Sequence, residues 1–323
     1  MRTGKELLIA SKDFATEHRL LSWWYLWSTL CLLCLLLLIA ASPVHLIARV
    51  FASLLSGFVC VRMFIIFHDY QHRAILRNSK IAGLIFWFYG ILVLSPPSVW
   101  NRSHSDHHKN NSKNFGFNVG SFPIMTKESF QSASLREQFI YLVSRHPLTI
   151  LFGYLTIFAW GMTLRPLLRD PFHHIDSGIA ILVHLILIVS LYSILGPTTL
   201  LLAMLLPIFV ATLIGGYLFY AQHNFPSAKL HSEPNWSHVD AALESSSYME
   251  MGPLLHWFTG NIGFHHVHHM NALIPFYRLP EAMEALTELR SPGVTSLRLC
   301  DIRACLRLKV WDPTAQRLVG LNE

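Results

Sequence analysis

Three short stretches of this chain carry histidines at helical spacing, the feature of the sequence best suited to chemistry. His68-Asp69-Tyr70-Gln71-His72 puts two imidazoles at i and i+4, while His104-Ser105-Asp106-His107-His108 and His265-His266-Val267-His268-His269 both read H-x-x-H-H. On a helix, positions i, i+3 and i+4 share a face, so each stretch can turn two or three ring nitrogens toward one centre. A further histidine, His223, stands between Gln222 and Asn224. One such pair alone is most often a surface feature. Three of them, in a chain with 19 histidines among 323 residues, point to metal. Neutral imidazole is the commonest metal ligand, and about eight or nine suffice for two ions.

Imidazole suits iron, zinc, copper and nickel alike, so ligand type does not choose the metal. The H-E-x-x-H pattern of common metalloproteases is absent. Composition narrows the choice. The chain is 52% hydrophobic and only 14% charged, where soluble domains carry roughly a quarter charged residues. This is the composition of a membrane protein. Two redox metals beside a membrane fit oxidation of a lipid, because a hydrocarbon C–H bond offers neither an acidic proton nor an electrophilic carbon and needs an oxygen-activating metal. The net charge of +6 comes without a long basic run. It fits a cytosolic face against anionic headgroups and gives no sign of a nucleic-acid partner. Five cysteines without framework spacing read as reduced thiols.

The histidines need elements to position them. Apolar runs cover 24–41, 50–67, 81–99, 148–164, 178–195 and 198–221, the last two joined at Gly196-Pro197. The spans can cross a hydrocarbon core of roughly 30 Å. Arg62, inside the second run, is expected to snorkel to the interface. If all clusters serve one centre, they lie on one side of the membrane, and an even number of crossings separates them. The run at 81–99 therefore turns back, with Pro96-Pro97 as its break. The run at 148–164, flanked by Arg145, Arg165 and Arg169, lies in the interface. Arg2, Lys5, Lys12 and Arg19 put the N-terminus in the cytosol, and Arg73, Arg77 and Lys80 agree. The expected fold is all-α and integral to the membrane. It has four transmembrane helices in two hairpins, two interfacial or re-entrant helices, and a cytosolic helical cap holding a di-metal site. The whole of 1–323 forms one domain: a cytosolic segment 1–23, a hairpin 24–67, a cytosolic or interfacial part 68–177, a hairpin 178–221, and a cap and tail 222–323. Both termini and all histidine clusters are expected to be cytosolic, with no cleavable signal peptide.

The three-cluster pattern resembles the membrane fatty acid desaturase family, in particular its bacterial acyl-lipid branch. The most specific stretch runs from Gln222 to Pro280. It includes Trp236-Ser237, Glu244-Ser245-Ser246-Ser247-Tyr248, Trp257-Phe258-Thr259-Gly260-Asn261-Ile262-Gly263-Phe264 leading into the third cluster, and Tyr277-Arg278-Leu279-Pro280. The likeness covers roughly 50–285. It implies two iron ions held by His68, His72, His104, His107, His108, His223, His265, His268 and His269, with His266 the odd member of its cluster. It also implies O2 as co-substrate and a cis double bond placed in a lipid-linked acyl chain, with water formed. Asp106 and Tyr70-Gln71 depart from common family residues without removing a ligand. The fused haem-domain pattern His-Pro-Gly-Gly is absent, since His146-Pro147 continues as Leu148-Thr149. A separate electron donor of ferredoxin, flavodoxin or cytochrome b5 type is therefore expected.

Metal-bound histidines usually give their second N–H to a carboxylate, carbonyl or water. Asp69 and Asp106, inside the clusters, are candidates for that support, with plain surface carboxylates as the alternative. Asn261, four residues before His265, is a further candidate, as is His266. Tyr248 and Trp257 are candidates for the substrate path, against a role as interface aromatics. The nearest rival activity is a hydroxylase, ketolase or alkane oxidase on the same scaffold. A non-catalytic membrane metal-binding protein is a rival of a different class, although transporters place polar groups near the midplane of several spans.

Overall fold

The computed structural model describes residues 2–113, 122–231 and 236–322. Among the described residues, four helices are long and apolar enough to cross a membrane: Arg19–Ala41, Leu46–Gln71, Ile175–Leu195 and Pro197–Ala221. The shortest has 21 residues and reaches about 31 Å at 1.5 Å per residue, enough for the hydrocarbon core. Each helix extends beyond its apolar run. In the second span that extension matters most: the helix continues without a break from apolar Phe67 through His68, Asp69 and Gln71, with His72 as its C-cap. The first histidine cluster is thus rigidly coupled to a transmembrane element.

The second span is the central post. Two-thirds of its apolar window (67%) is buried within the protein, against 11% for the third span. Leu182, Leu185, Ile186 and Val189 of the third span face outward, as a lipid-facing helix requires. The second span crosses the fourth at Gly57, where an added Cβ would lie 2.5 Å from Val210 Cβ and 3.1 Å from the Pro207 carbonyl. Without a hydrophobic drive between helices in lipid, such small-residue contacts carry the packing. Gly57→Leu is expected to overpack this crossing by about 1–3 kcal/mol. A lower thermal midpoint of the detergent-solubilised protein reads that loss, and an unchanged midpoint counts against the tight crossing.

Arg62 does not snorkel. It is 3% exposed, donates from Nε to Thr29 Oγ1 at 3.2 Å, bonds the Trp257 carbonyl and lies 4.2 Å from the centroid of the Trp257 ring. It sits on the face of the central post that meets the first span and the cap, where protein acceptors are nearer than water.

The run at 81–99 turns back as expected. Helices Lys80–Leu92 and Pro97–Lys109 meet at 92°. Leu94 takes a left-handed backbone (φ 53°), and Ser95 N bonds the Gly90 carbonyl at 2.8 Å. The turn is so close that a Cβ on Gly90 would lie 2.8 Å from the Ser95 carbonyl oxygen. The second arm is polar and carries the second cluster. Its N-terminus is held by Asp176, whose carboxylate accepts from Ser98 N (2.9 Å) and Ser98 Oγ (2.6 Å). An acidic cap there satisfies an orphan N–H and complements the helix dipole. The run at 148–164 forms Pro147–Leu151 and the wide-turned helix Tyr154–Leu164, neither long enough to span. Arg145, read from sequence as an interface flank, is fully buried.

Two crossings, the third and fourth spans, therefore separate the second cluster from His223, and none separates His223 from the third cluster. Beyond the spans, short helices and, among the described residues, two small sheets form the cap. Tyr248–Glu250 pairs parallel with Val294–Ser296, and Val310–Asp312 pairs antiparallel with Arg317–Val319. One hydrophobic core runs from Met63, Ile66 and Phe67 of the second span into Val267, Phe276 and Leu289 of the cap.

Candidate metal centre

The nine histidines named from sequence come together at one end of the spans as two groups. His68, His72, His104, His108 and His268 form one; His107, His223, His265 and His269 form the other. In each, one donor atom per residue lies within 4.8 Å of all the rest. The groups do not follow the clusters. Each i,i+4 pair (His68/His72, His104/His108, His265/His269) stays together, while the i+3 member, His107 or His268, crosses to the other group. The helix explains this. Residues i and i+4 are about 40° apart around the axis, whereas i+3 falls about 60° to the other side. H-x-x-H-H thus lets one helix serve two adjacent centres. His108 and His269, from different groups, stack at 4.2 Å and 15°.

The four-histidine group is a closed ring of Nε2 atoms. His107 to His223 is 3.1 Å, His223 to His265 is 2.9 Å, His265 to His269 is 3.1 Å and His269 to His107 is 3.2 Å. A square with edges of about 3 Å has its centre roughly 2.1 Å from each corner, a metal–imidazole distance. In the five-histidine group, Nε2 atoms run from His68 to His104 (2.9 Å), His108 (3.0 Å) and His268 (3.1 Å). His72 stands against all four, its ring centroid 4.6, 4.8, 4.6 and 5.0 Å from those of His68, His104, His108 and His268. Its Nε2 is buried without a hydrogen-bond partner among the described residues.

Burial holds these rings neutral. It pushes His72 and His223 down to about 4, in His223 against a bond to the Ser245 carbonyl. Burial, then neighbouring imidazoles, pushes His265 and His269 well below the usual histidine range. Near neutral pH each keeps a lone pair to offer. A dry nest of neutral nitrogens, one of them orphaned, suits a pair of divalent transition metals; oxygen-seeking magnesium or calcium would find no carboxylate in either group.

The supporting candidates divide. Asp69, 1% exposed, accepts from His68 Nδ1 at 3.1 Å with one oxygen and from Phe276 N at 2.6 Å with the other. Asp106 instead bonds Asn110 Nδ2 at 2.9 Å, since the inward faces of its helix belong to the histidines. It does border a small cavity beside His107 and His223. Asn261 is not one helical turn from His265: residue 261 is left-handed (φ 56°), in the turn before the helix, and its Nδ2 donates to the Phe276 carbonyl at 3.1 Å. His266 points away, with Nε2 bonded to the Leu289 carbonyl at 3.0 Å. Tyr248 packs on Phe264 at 5.0 Å and Trp257 covers Arg62.

Three features escaped the sequence reading. The Ser245 carbonyl faces His223 Nδ1 at 3.0 Å, which directs the Nε2 lone pair into its group. Asp176 caps the helix of the second cluster, and Arg145 lies beside His223. A backbone carbonyl leaves no mark in side-chain pattern. Asp176 is an acid at the foot of an apolar run, and Arg145 is a lone arginine, so both look like ordinary interface residues.

The sequence model of the family described as fatty acid desaturase matches residues 44–297. A fatty acid desaturase of Bacillus subtilis is 30% identical over 280 residues, covering 86% of this chain and 78% of that protein. A Delta(12) fatty acid desaturase of Mortierella isabellina is 23% identical over 269 residues, covering 73% of this chain and 66% of that protein. An omega-3 fatty acid desaturase, chloroplastic, of Brassica napus is 22% identical over 239 residues, covering 69% of this chain and 57% of that protein. The chain thus spans two thirds or less of the fungal and plant relatives.

Proposed function

This chain belongs to the fatty acid desaturase family, an oxidoreductase family, and from that premise we propose that it desaturates the acyl chain of a membrane lipid, with O2 as co-substrate, at two irons held by its nine inward histidines. The observation that carries this reading is the division of those histidines into a group of five and a group of four, each with nitrogens spaced to surround one ion. Two irons bound there would supply the oxygen activation that an unactivated C–H bond demands. The balance is one acyl –CH2–CH2– segment, O2, two electrons and two protons, giving –CH=CH– and two waters.

The chain's own part is positioning and exclusion. The Asp69 carboxylate and the Ser245 carbonyl each hold a proton on Nδ1 of a ligand, leaving Nε2 free. Trp100 stacks on His104 at 4.3 Å, and Phe219 meets His107 at 5.0 Å, so the donors sit in apolar walls. The spans deliver the substrate laterally from the bilayer. The positive-inside pattern supports a cytosolic centre, open to a separate ferredoxin, flavodoxin or cytochrome b5 type donor. Tyr248 and Trp257 stay candidates for the substrate path because they flank the junction between spans and cap. The partition of 1–323 into two hairpins and one cap follows the same reading.

The test is expression in a heterologous host, followed by fatty acid profiling with double-bond localisation and iron analysis of the purified protein. New cis-unsaturated acyl chains, about two irons per chain and loss of product in His107→Ala are expected. Hydroxyl or keto products without new double bonds would sink the desaturase reading.

A further inference from the structure

Arg145 is the largest fully buried side chain among the described residues. No carboxylate among the described residues forms an ion pair with it. An arginine kept dry needs another source of negative charge. Here that source is a set of uncharged oxygens, those of Pro123, Asn224 and the end of a helix. Leu299–Arg307 points its last carbonyls, which have no partners within the helix, at this region. The Leu308 carbonyl accepts from Arg145 Nη2 (3.4 Å), Tyr220 OH (3.3 Å) and Asn224 Nδ2 (3.3 Å), and the Cys305 carbonyl accepts from Asn224 Nδ2 at 2.6 Å. Arg145 also reaches the Pro123 carbonyl at 2.6 Å, Tyr220 OH at 3.4 Å and Asn224 Oδ1 at 2.5 Å. Lys309 closes the knot, donating to the Arg145 carbonyl at 2.7 Å.

Tyr220 and Asn224 stand three residues before and one residue after His223. Arg145 therefore grips both flanks of the only member of the four-histidine group that lies outside the three clusters. The strap it grips with, 299–309, lies beyond the 44–297 segment matched by the family. We propose that Arg145, anchored on the Pro123 carbonyl and on the Leu308 carbonyl that ends helix 299–307, is a positioning residue for His223 and makes the tail an integral part of the four-histidine site. The five-histidine group has no member held this way, so the effect is selective. This inference rests on the reading that both groups bind metal.

The test is a cobalt(II) titration of metal-free, detergent-solubilised full-length protein, following ligand-field absorption and cobalt per chain. Wild type is expected to take up two ions. In Arg145→Met, affinity at one site should fall on the order of 10–100-fold, the usual cost of losing an outer support, while the other stays within about twofold. The spectrum of Arg145→Met with one ion should match that of His223→Ala. Equal weakening of both sites, or no weakening, overturns the proposal. If Arg145→Met does not accumulate, Arg145→Lys, which keeps the charge but loses the fork, should show the same selectivity on a smaller scale; an unselective or absent loss there overturns it equally. Wild type taking up a single ion would defeat the two-metal reading instead, a result distinguishable from failure of this inference.

Discussion

His268→Ala is expected to empty the five-histidine site and abolish product formation, while His266→Ala, two residues earlier on the same helix, leaves both sites loaded. The helix His265–Met270 buries all of its histidines, so exposure does not separate the two. Direction does. His268 Nε2 lies 3.1 Å from His108 Nε2, and its ring is 4.5 Å from that of His68, so its loss opens one side of the group. A loss of at least about 100-fold in metal affinity is expected, the upper end of what an outer support costs. His266 Nε2 serves the Leu289 carbonyl, and its backbone N–H serves the Ser247 carbonyl at 3.3 Å. Alanine leaves the Leu289 carbonyl unpaired and costs roughly 1–3 kcal/mol of stability, seen as a lower thermal midpoint with metal content retained. Iron per chain, product yield and melting, measured on both variants, decide the matter. His268→Ala protein retaining its full metal would refute the grouping.

Asp69→Asn should be nearly as damaging, although it changes no shape. The Phe276 amide can only donate, so the side-chain carbonyl of the substituted residue must turn to it. The new NH2 group then faces His68 Nδ1, and that nitrogen becomes an acceptor. The imidazole proton is driven to Nε2, the atom that meets His104 Nε2 at 2.9 Å and that a metal would use. A protonated Nε2 is no ligand. The same substitution in a serine protease triad locks the wrong tautomer with a large loss of rate. Here the expected loss is about 10–100-fold in affinity at the five-histidine site, with the four-histidine site unaffected. Cobalt titration reads the two sites separately. Undiminished binding would mean that Asp69 does not set the tautomer of His68.

These two results test different kinds of legibility. The donors were readable because i,i+3 and i,i+4 relations are local: they follow from helix geometry and need no partner. The requirement that all clusters share one side of the membrane was readable too, and with it the turning-back of 81–99, since Pro96-Pro97 and the apolar lengths sit in the sequence. His266 was recognisable as the odd member of its cluster, but its bond to Leu289 was not, because that contact spans 23 residues. Asp69 and Asp106 look alike in sequence, each beside a box histidine. Only the approach of Phe276 N turns Asp69 inward, while Asp106 remains with Asn110. Asn261 was read on a helical spacing that its left-handed backbone does not have.

Sequence by itself determined the membrane character, the number of spans and a set of nitrogen donors that suits a transition metal without choosing which. All of these rest on composition and on periodicity within one element. Tertiary structure alone decided which histidines gather in one group, which carboxylate meets a histidine Nδ1, and that a buried arginine reaches the Leu308 carbonyl, 163 residues away at the end of a helix. Such choices depend on the angle and distance at which separate elements meet, and neither is written in the spacing of any one of them.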